Sequence, residues 1–210
     1  SHRYLICGAL SFGSVIENVA FSEDIKATLN CLSALGAEYE IDGSTVKTGG
    51  ISPDKAVKCA ELFCNESGST LRFLIPLCLL FGQKITLKGT QRLMSRSLAV
   101  YKEMCLSQGI EFSEDKESVT VFGKLRPGKY SVRGDVSSQF ISGLMFALPL
   151  LENDSIIDIT GAIESGSYLG MTVKALADFG IRISRTDEHT VFIKGNQTYK
   201  PRTLCVEGDY

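Results

Sequence analysis

The chain has 210 residues, 44% of them hydrophobic and 22% charged, with 22 basic against 24 acidic side chains and a formal net charge of −2. That balance describes a folded globular chain of one large domain or two small ones, and gives no reason to expect a nucleic-acid partner. The longest apolar runs, such as Phe73–Phe81, are too short to span a bilayer and contain a proline. No basic-then-apolar leader opens the sequence, so a cytoplasmic location without a membrane partner is expected. Seven cysteines (Cys7, Cys31, Cys59, Cys64, Cys78, Cys105 and Cys205) are odd in number and form no C-x-x-C pair. They read as small buried hydrophobes in a reducing compartment, not as a zinc site or a disulfide framework.

The first apolar helical run ends at Gly13 and a strand-like "SVIENV" follows. A second helix starts at Ser22, a capping residue, with Glu23 and Asp24 suited to the positive helix end. Ile25, Leu29, Leu32 and Leu35 form its apolar stripe, and Gly36 closes it at the position that favours positive φ. A strand, the turn "DGS" and the strand "TVKTG" complete this stretch. The pattern then repeats. "AVKCAELFC" offers an initial strand, "NESGSTLR" opens the apolar helix "FLIPLCLLF", and "KITLKG" follows Gly82. A further helix begins at "QRLMSRSL", ends at Gly109, and leads through "EDKES" to "VTVFG". The third copy has "KYSVRG", then "GDVSSQF" opening "ISGLMFALPLL", then "SIIDIT" after Asn153. Its second helix starts at "ESGSYLGMT" and ends at Gly180, before "RTDEH" and "TVFIKG".

Gly36, Gly109 and Gly180 are spaced about seventy residues apart, the mark of an internal repeat. The expected fold is α+β (mixed α/β): three pseudo-symmetric βαβαββ units spanning 1–50, 51–126 and 127–206. "FLIPLCLLF" and "ISGLMFALPLL" are apolar nearly all round, so the first helices should be buried, with sheets packed outside them. Pro76 and Pro149 should bend these helices late in their course.

Pseudo-threefold symmetry brings the starts of the three first helices to one face. Those starts are Ser1–Arg3, Asn65–Arg72 and Gly134–Phe140, each with hydroxyls or an amide. A serine in such a place is ordinarily a cap, an arginine ordinarily solvated, and a tyrosine ordinarily half-buried packing. Together they favour a ligand, because helix N-termini and guanidinium groups attract small, multiply charged anions. Gly68 opens the backbone to close approach and Arg72 lies one turn on. The second-helix starts add Arg92 and Arg96, then Ser165, Ser167 and Tyr168. His189 sits in a polar hairpin turn, and His2 has no evident Ser or Cys partner. No nucleophile elbow, Walker sequence or metal-ligand cluster is present.

The segments "VSSQF", "SGSTLR", "RLMSR", "SGSYLGMT" and "VEGDY" run in order across the chain. In them the sequence resembles the 5-enolpyruvylshikimate-3-phosphate synthases (3-phosphoshikimate 1-carboxyvinyltransferases) of the enolpyruvyl transferase family. The resemblance implies one lobe, residues 1–210, of a two-lobed inside-out α/β barrel with three βαβαββ units per lobe. It implies transfer of the enolpyruvyl group of phosphoenolpyruvate to the 5-hydroxyl of shikimate 3-phosphate, releasing phosphate, without metal or organic cofactor. Carried over by position, it assigns Arg3, Ser137, Ser138, Gln139, Ser165 and Tyr168 to shikimate 3-phosphate. Gly68, Arg96 and again Gln139 fall to phosphoenolpyruvate, with Ser69 and Arg72 as further candidates.

The family's Lys-Ser-x-Ser-x-Arg is met here only from its second Ser, and its Asn-x-Gly-Thr reads Glu66-Ser67-Gly68-Ser69. Glu66 sets a negative charge beside an anion site, facing away or paired with an arginine. No acid or base is expected within this lobe. Those groups belong to the family's second lobe, the implied missing partner, so the lobe alone should be inactive. The alternatives are a lobe acting on UDP-N-acetylglucosamine and a non-catalytic anion-binding module.

Overall fold

The computed structural model describes residues 1–57, 59–162 and 166–207. The first part of the chain contains α1 (His2–Leu10), β1 (Ser14–Glu17), α2 (Glu23–Ala34), β2 (Tyr39–Asp42) and β3 (Thr45–Thr48). Next come β4 (Glu61–Phe63), α3 (Gly68–Cys78), β5 (Ile85–Lys88), α4 (Gln91–Met94), α5 (Ala99–Ser107), β6 (Glu111–Glu114) and β7 (Ser118–Phe122). The rest holds β8 (Lys129–Arg133), α6 (Ser138–Ala147), β9 (Ser155–Thr160), α7 (Gly166–Asp178), β10 (Ile183–Arg185), β11 (Thr190–Ile193) and β12 (Thr203–Cys205).

The strands form three four-stranded sheets of one design, ordered β12-β1-β3-β2, β4-β5-β7-β6 and β8-β9-β11-β10. In each, the outermost first strand pairs in parallel with the second, and the remaining pairs are antiparallel. The parallel partner of β1 therefore comes from the far end of the chain, residues 203–205. This closes the ring of units. Gly36, Gly109 and Gly180 all take positive φ, at 109°, 69° and 80°, as their position after a helix requires.

Burial follows the apolar pattern. In α3 and α6 nearly every residue is buried, while α2 buries one face, with Ile25, Leu29 and Leu32 inside. Ser22 caps α2 by accepting from the Ile25 N–H. The sheets alternate inward and outward residues, as in β8, where Tyr130 and Val132 are buried between exposed neighbours. Cys7, Cys31, Cys64, Cys78 and Cys105 are buried, but Cys59 and Cys205 are exposed. The reading of all seven as core hydrophobes fails at these two because Cys59 precedes an edge strand and Cys205 points outward from one.

One helix differs from expectation. "QRLMSRSL" does not open one continuous helix; α4 stops and α5 starts afresh. Hydroxyls cause the break: Ser95 Oγ donates back to the Arg92 carbonyl, and Ser97 Oγ accepts from the Ala99 N–H. Pro149 ends α6 in a 3-10 turn at Leu148–Leu150, but α3 runs on through Pro76 to Cys78. Proline cannot donate to the carbonyl four residues back, which is that of Arg72. Tyr101 Oη donates to it instead at 2.7 Å.

That tyrosine belongs to a set of three. Each unit's second helix sends one hydroxyl into the seam between two first helices. From α2, Thr28 Oγ1 meets His2 Nδ1 of α1 at 2.8 Å and Thr70 Oγ1 of α3 at 2.7 Å. From α5, Tyr101 Oη shares its proton between the carbonyls of Arg72 in α3 and Phe140 in α6. From α7, Thr172 Oγ1 meets Arg3 Nε of α1 and Ser142 Oγ of α6, both at 2.8 Å. Buried polar groups in a core this apolar must be paired, and here the pairing joins the three units in a ring.

Candidate functional site

The helix starts are built by local capping. Ser67 accepts from the Thr70 N–H at the mouth of α3, and Ser137 accepts from the Gln139 N–H at the mouth of α6. Ser1 precedes α1 without a side-chain cap bond. Capping is thus part of the answer to why "VSSQF" opens an apolar helix, since Ser137 caps and Ser138 is buried at 6% exposure. Gln139 is the residue that turns toward the neighbouring helix.

Around Gly68 the side chains converge. A Cβ at Gly68 would lie 2.9 Å from Arg96 Nη1, 3.5 Å from Arg72 Nη1 and 3.8 Å from Gln139 Oε1. Arg72 Nη1 donates to Gln139 Oε1 at 2.9 Å, and Gln139 Nε2 donates to Ser69 Oγ at 2.9 Å. Arg72 also lies over the Phe140 ring, 5.1 Å from its centre. Its guanidinium is held below its ordinary range by burial first and then by the like charge of Arg96. Two cations thus share a mouth, and among the described residues neither is ion-paired. The arrangement suits an anion.

Glu66 does not cancel this charge. It pairs with Arg92 at 2.9 Å, and neither Arg72 nor Arg96 is its partner.

A second cluster lies at the mouth of α1. Arg3 donates through Nε to Thr172 Oγ1 at 2.8 Å and through Nη2 to the Tyr168 carbonyl at 3.3 Å. Its guanidinium carbon sits 5.3 Å from the centre of the Phe73 ring, and burial lowers its pKa. Tyr168 meets Arg3 by its carbonyl, not its phenol, and remains 55% exposed. Ser165 lies outside the described residues. The hydroxyl chain from His2 through Thr28 and Thr70 to Ser67 joins the α1 mouth to the α3 mouth. His189 is structural, its Nδ1 bonded to the Ile159 carbonyl.

Thr28, Thr70, Ser142 and Thr172 escaped the sequence reading. The available signal was a hydroxyl on the apolar face of a helix, at Thr28 between Ile25 and Leu32 and at Thr172 between Leu169 and Leu176. Among the described residues no group of three or more His, Cys, Asp or Glu is placed to hold a metal, and no helix is long and apolar enough to cross a membrane.

The geometry predicts the result of Gly68→Ala. The new methyl meets the far end of a flexible side chain, so Arg96 moves while the fold stays intact. We expect unfolding free energy to change by less than about 0.5 kcal/mol. Anion affinity should fall about tenfold, through loss of one charge-assisted contact. Parallel denaturant melts and calorimetric titrations check both halves.

The model of the EPSP synthase family (3-phosphoshikimate 1-carboxyvinyltransferase) matches residues 1–210. The 3-phosphoshikimate 1-carboxyvinyltransferase of Clostridium kluyveri is 47% identical over 212 residues, covering 100% of this chain and 50% of that protein. That of Clostridium perfringens strain SM101 is 42% identical over 213 residues, with the same coverage. EPSP synthase from Acinetobacter baumannii shares the fold, with TM-score 0.80 at 19% identity over 98% of this chain and 46% of that one. The chain spans about half the length of the curated relatives it matches.

Proposed function

The chain belongs to the EPSP synthase family, and from that premise we propose that it is the shikimate-3-phosphate-binding lobe of an enolpyruvyl transferase. Its three repeats, 1–50, 51–126 and 127–206, each turn one helix start toward the substrates. Arg3, Ser137, Ser138, Gln139, Ser165 and Tyr168 hold shikimate 3-phosphate. Gly68, Arg96 and Gln139, with Ser69 and Arg72 beside them, hold phosphoenolpyruvate. The observation that carries this reading is the convergence of Arg72 and Arg96, unpaired by any described carboxylate, on the start of α3.

The chemistry follows from what this lobe offers. Guanidinium groups and helix-mouth N–H groups bind and orient two phosphates, and they stabilise negative charge. Proton transfer to and from the reacting carbon and oxygen needs an acid and a base. We assign those groups to a second lobe, as the family resemblance implies, and leave binding and orientation to this one. The lobe on its own binds but does not turn over.

Calorimetric titration at low salt tests this. Saturable binding of shikimate 3-phosphate, no binding of UDP-N-acetylglucosamine, and no phosphate release with both substrates are the expected results. Binding of the nucleotide sugar in place of shikimate 3-phosphate would overturn the substrate assignment. Phosphate release dependent on both substrates would overturn the division of labour.

A further inference from the structure

Ser69 and Arg72 stand on α3, Gln139 stands on α6, and the three form a chain of hydrogen bonds whose direction is fixed from one end. Arginine can only donate. Facing Arg72 Nη1, the Gln139 amide must therefore present its oxygen, as it does at 2.9 Å. Its nitrogen then faces Ser69 and donates to Oγ. A serine hydroxyl that accepts this bond turns its own hydrogen elsewhere. With the amide reversed, nitrogen would oppose nitrogen at Arg72, and Ser69 would spend its hydrogen on the amide oxygen and show lone pairs to the mouth.

We propose that Arg72 is a positioning residue of this site: it fixes the Gln139 amide and, through it, makes Ser69 a hydrogen-bond donor at the start of α3. The inference rests on reading the cluster as an anion site, and it adds the device that keeps the cluster free of exposed acceptors. Gln139 Oε1 lies only 3.8 Å from the Cβ position of Gly68, so without Arg72 its partial negative charge would face the anion. The device also explains why Arg72 stays beside Arg96 despite their like charges. Its role is directional as much as electrostatic, and a methionine of similar size cannot perform it.

The test uses the 15N-labelled chain, with the Gln139 side-chain amide assigned by its loss in Gln139→Met. The wild type and Arg72→Lys should each give one pair of amide proton signals with a nuclear Overhauser contact to the Ser69 β-protons. Arg72→Met should lose that contact. In titrations with phosphoenolpyruvate, Arg72→Met should bind about 10- to 50-fold more weakly and Arg72→Lys within about fivefold of wild type. Ser69→Ala should weaken the wild type and add almost nothing in the Arg72→Met background, because the donor it removes is already lost. An unchanged amide contact in Arg72→Met, with fully additive losses, would overturn the inference and leave Arg72 as a simple charge. If wild type does not bind phosphoenolpyruvate, the anion reading falls, and the amide contact alone decides the positioning role.

Discussion

Gly143→Ala is expected to be strongly destabilising. A Cβ at Gly143 would lie 2.5 Å from the Arg72 carbonyl oxygen, 3.3 Å from Pro76 Cγ, and in collision with Tyr101 Oη. The first of these is backbone, and the others belong to fully buried residues, so nothing nearby yields cheaply. The tyrosine hydroxyl must leave, which orphans the Arg72 carbonyl, and α3 and α6 must still part to relieve the contact with that carbonyl. Overpacking costs about 1–3 kcal/mol and a buried unpaired carbonyl about the same, against about 1 kcal/mol gained in helix propensity. A net loss of about 3 kcal/mol should lower Tm by roughly 6–12 °C for a chain of this size. Thermal melts followed by circular dichroism give the number. In a double-mutant cycle, Tyr101→Phe removes one of the two worst contacts, so the pair should cost less than the sum. An unchanged Tm would mean that the two helices re-space freely, against the tight seam described above.

The same site shows what a sequence discloses and what it withholds. The repeat was legible because each unit ends its second helix in a glycine and surrounds its first helix with apolar residues. Outward-facing sheets followed from that burial. Pseudo-threefold symmetry brought the helix starts that carry Gly68, Arg96 and Gln139 to one face, and the family resemblance singled out those three for one ligand. Gln139 was drawn to them by an arginine sixty-seven positions earlier, a pairing that no local pattern encodes. The break between α4 and α5 was hidden for a different reason: serine is tolerated inside helices, and only its actual bonds to the Arg92 carbonyl and the Ala99 N–H decide against continuity. The parallel pairing of β12 with β1 joins residues 188 apart, and a three-residue strand carries almost no periodicity of its own. Thr28, Thr172 and Tyr101 looked like ordinary members of helix faces. Their meaning lies in the seams they enter, and a seam is a property of three helices together.

The largest effect on binding should come from Arg3. Its side chain is fixed on three sides: Thr172 Oγ1 at 2.8 Å, the Tyr168 carbonyl at 3.3 Å and the Phe73 ring beneath it. Those anchors engage Nε and Nη2, so the remaining donors of the planar fork are held in a set direction before any ligand arrives. Two charge-assisted bonds to a phosphate, each worth about 1.5–3 kcal/mol and weakened by partial exposure, make Arg3→Ala about 100-fold weaker for shikimate 3-phosphate at low salt. Arg3→Lys should recover little, because an ammonium cannot bond Thr172 and a phosphate with the same fixed geometry. Stability should fall by less than about 1 kcal/mol, since Thr172 and Ser142 still pair with each other at 2.8 Å. The binding loss should shrink as salt rises, because the wild type loses more of its electrostatic attraction than the variant does. Phosphoenolpyruvate provides the contrast: its binding should follow Arg96 and Arg72 and be nearly indifferent to Arg3. If Arg3→Ala binds shikimate 3-phosphate as the wild type does, the phosphate is not read at the mouth of α1. If both ligands weaken together, the two clusters are one site, joined through the hydroxyls of Thr28, Thr70 and Ser67.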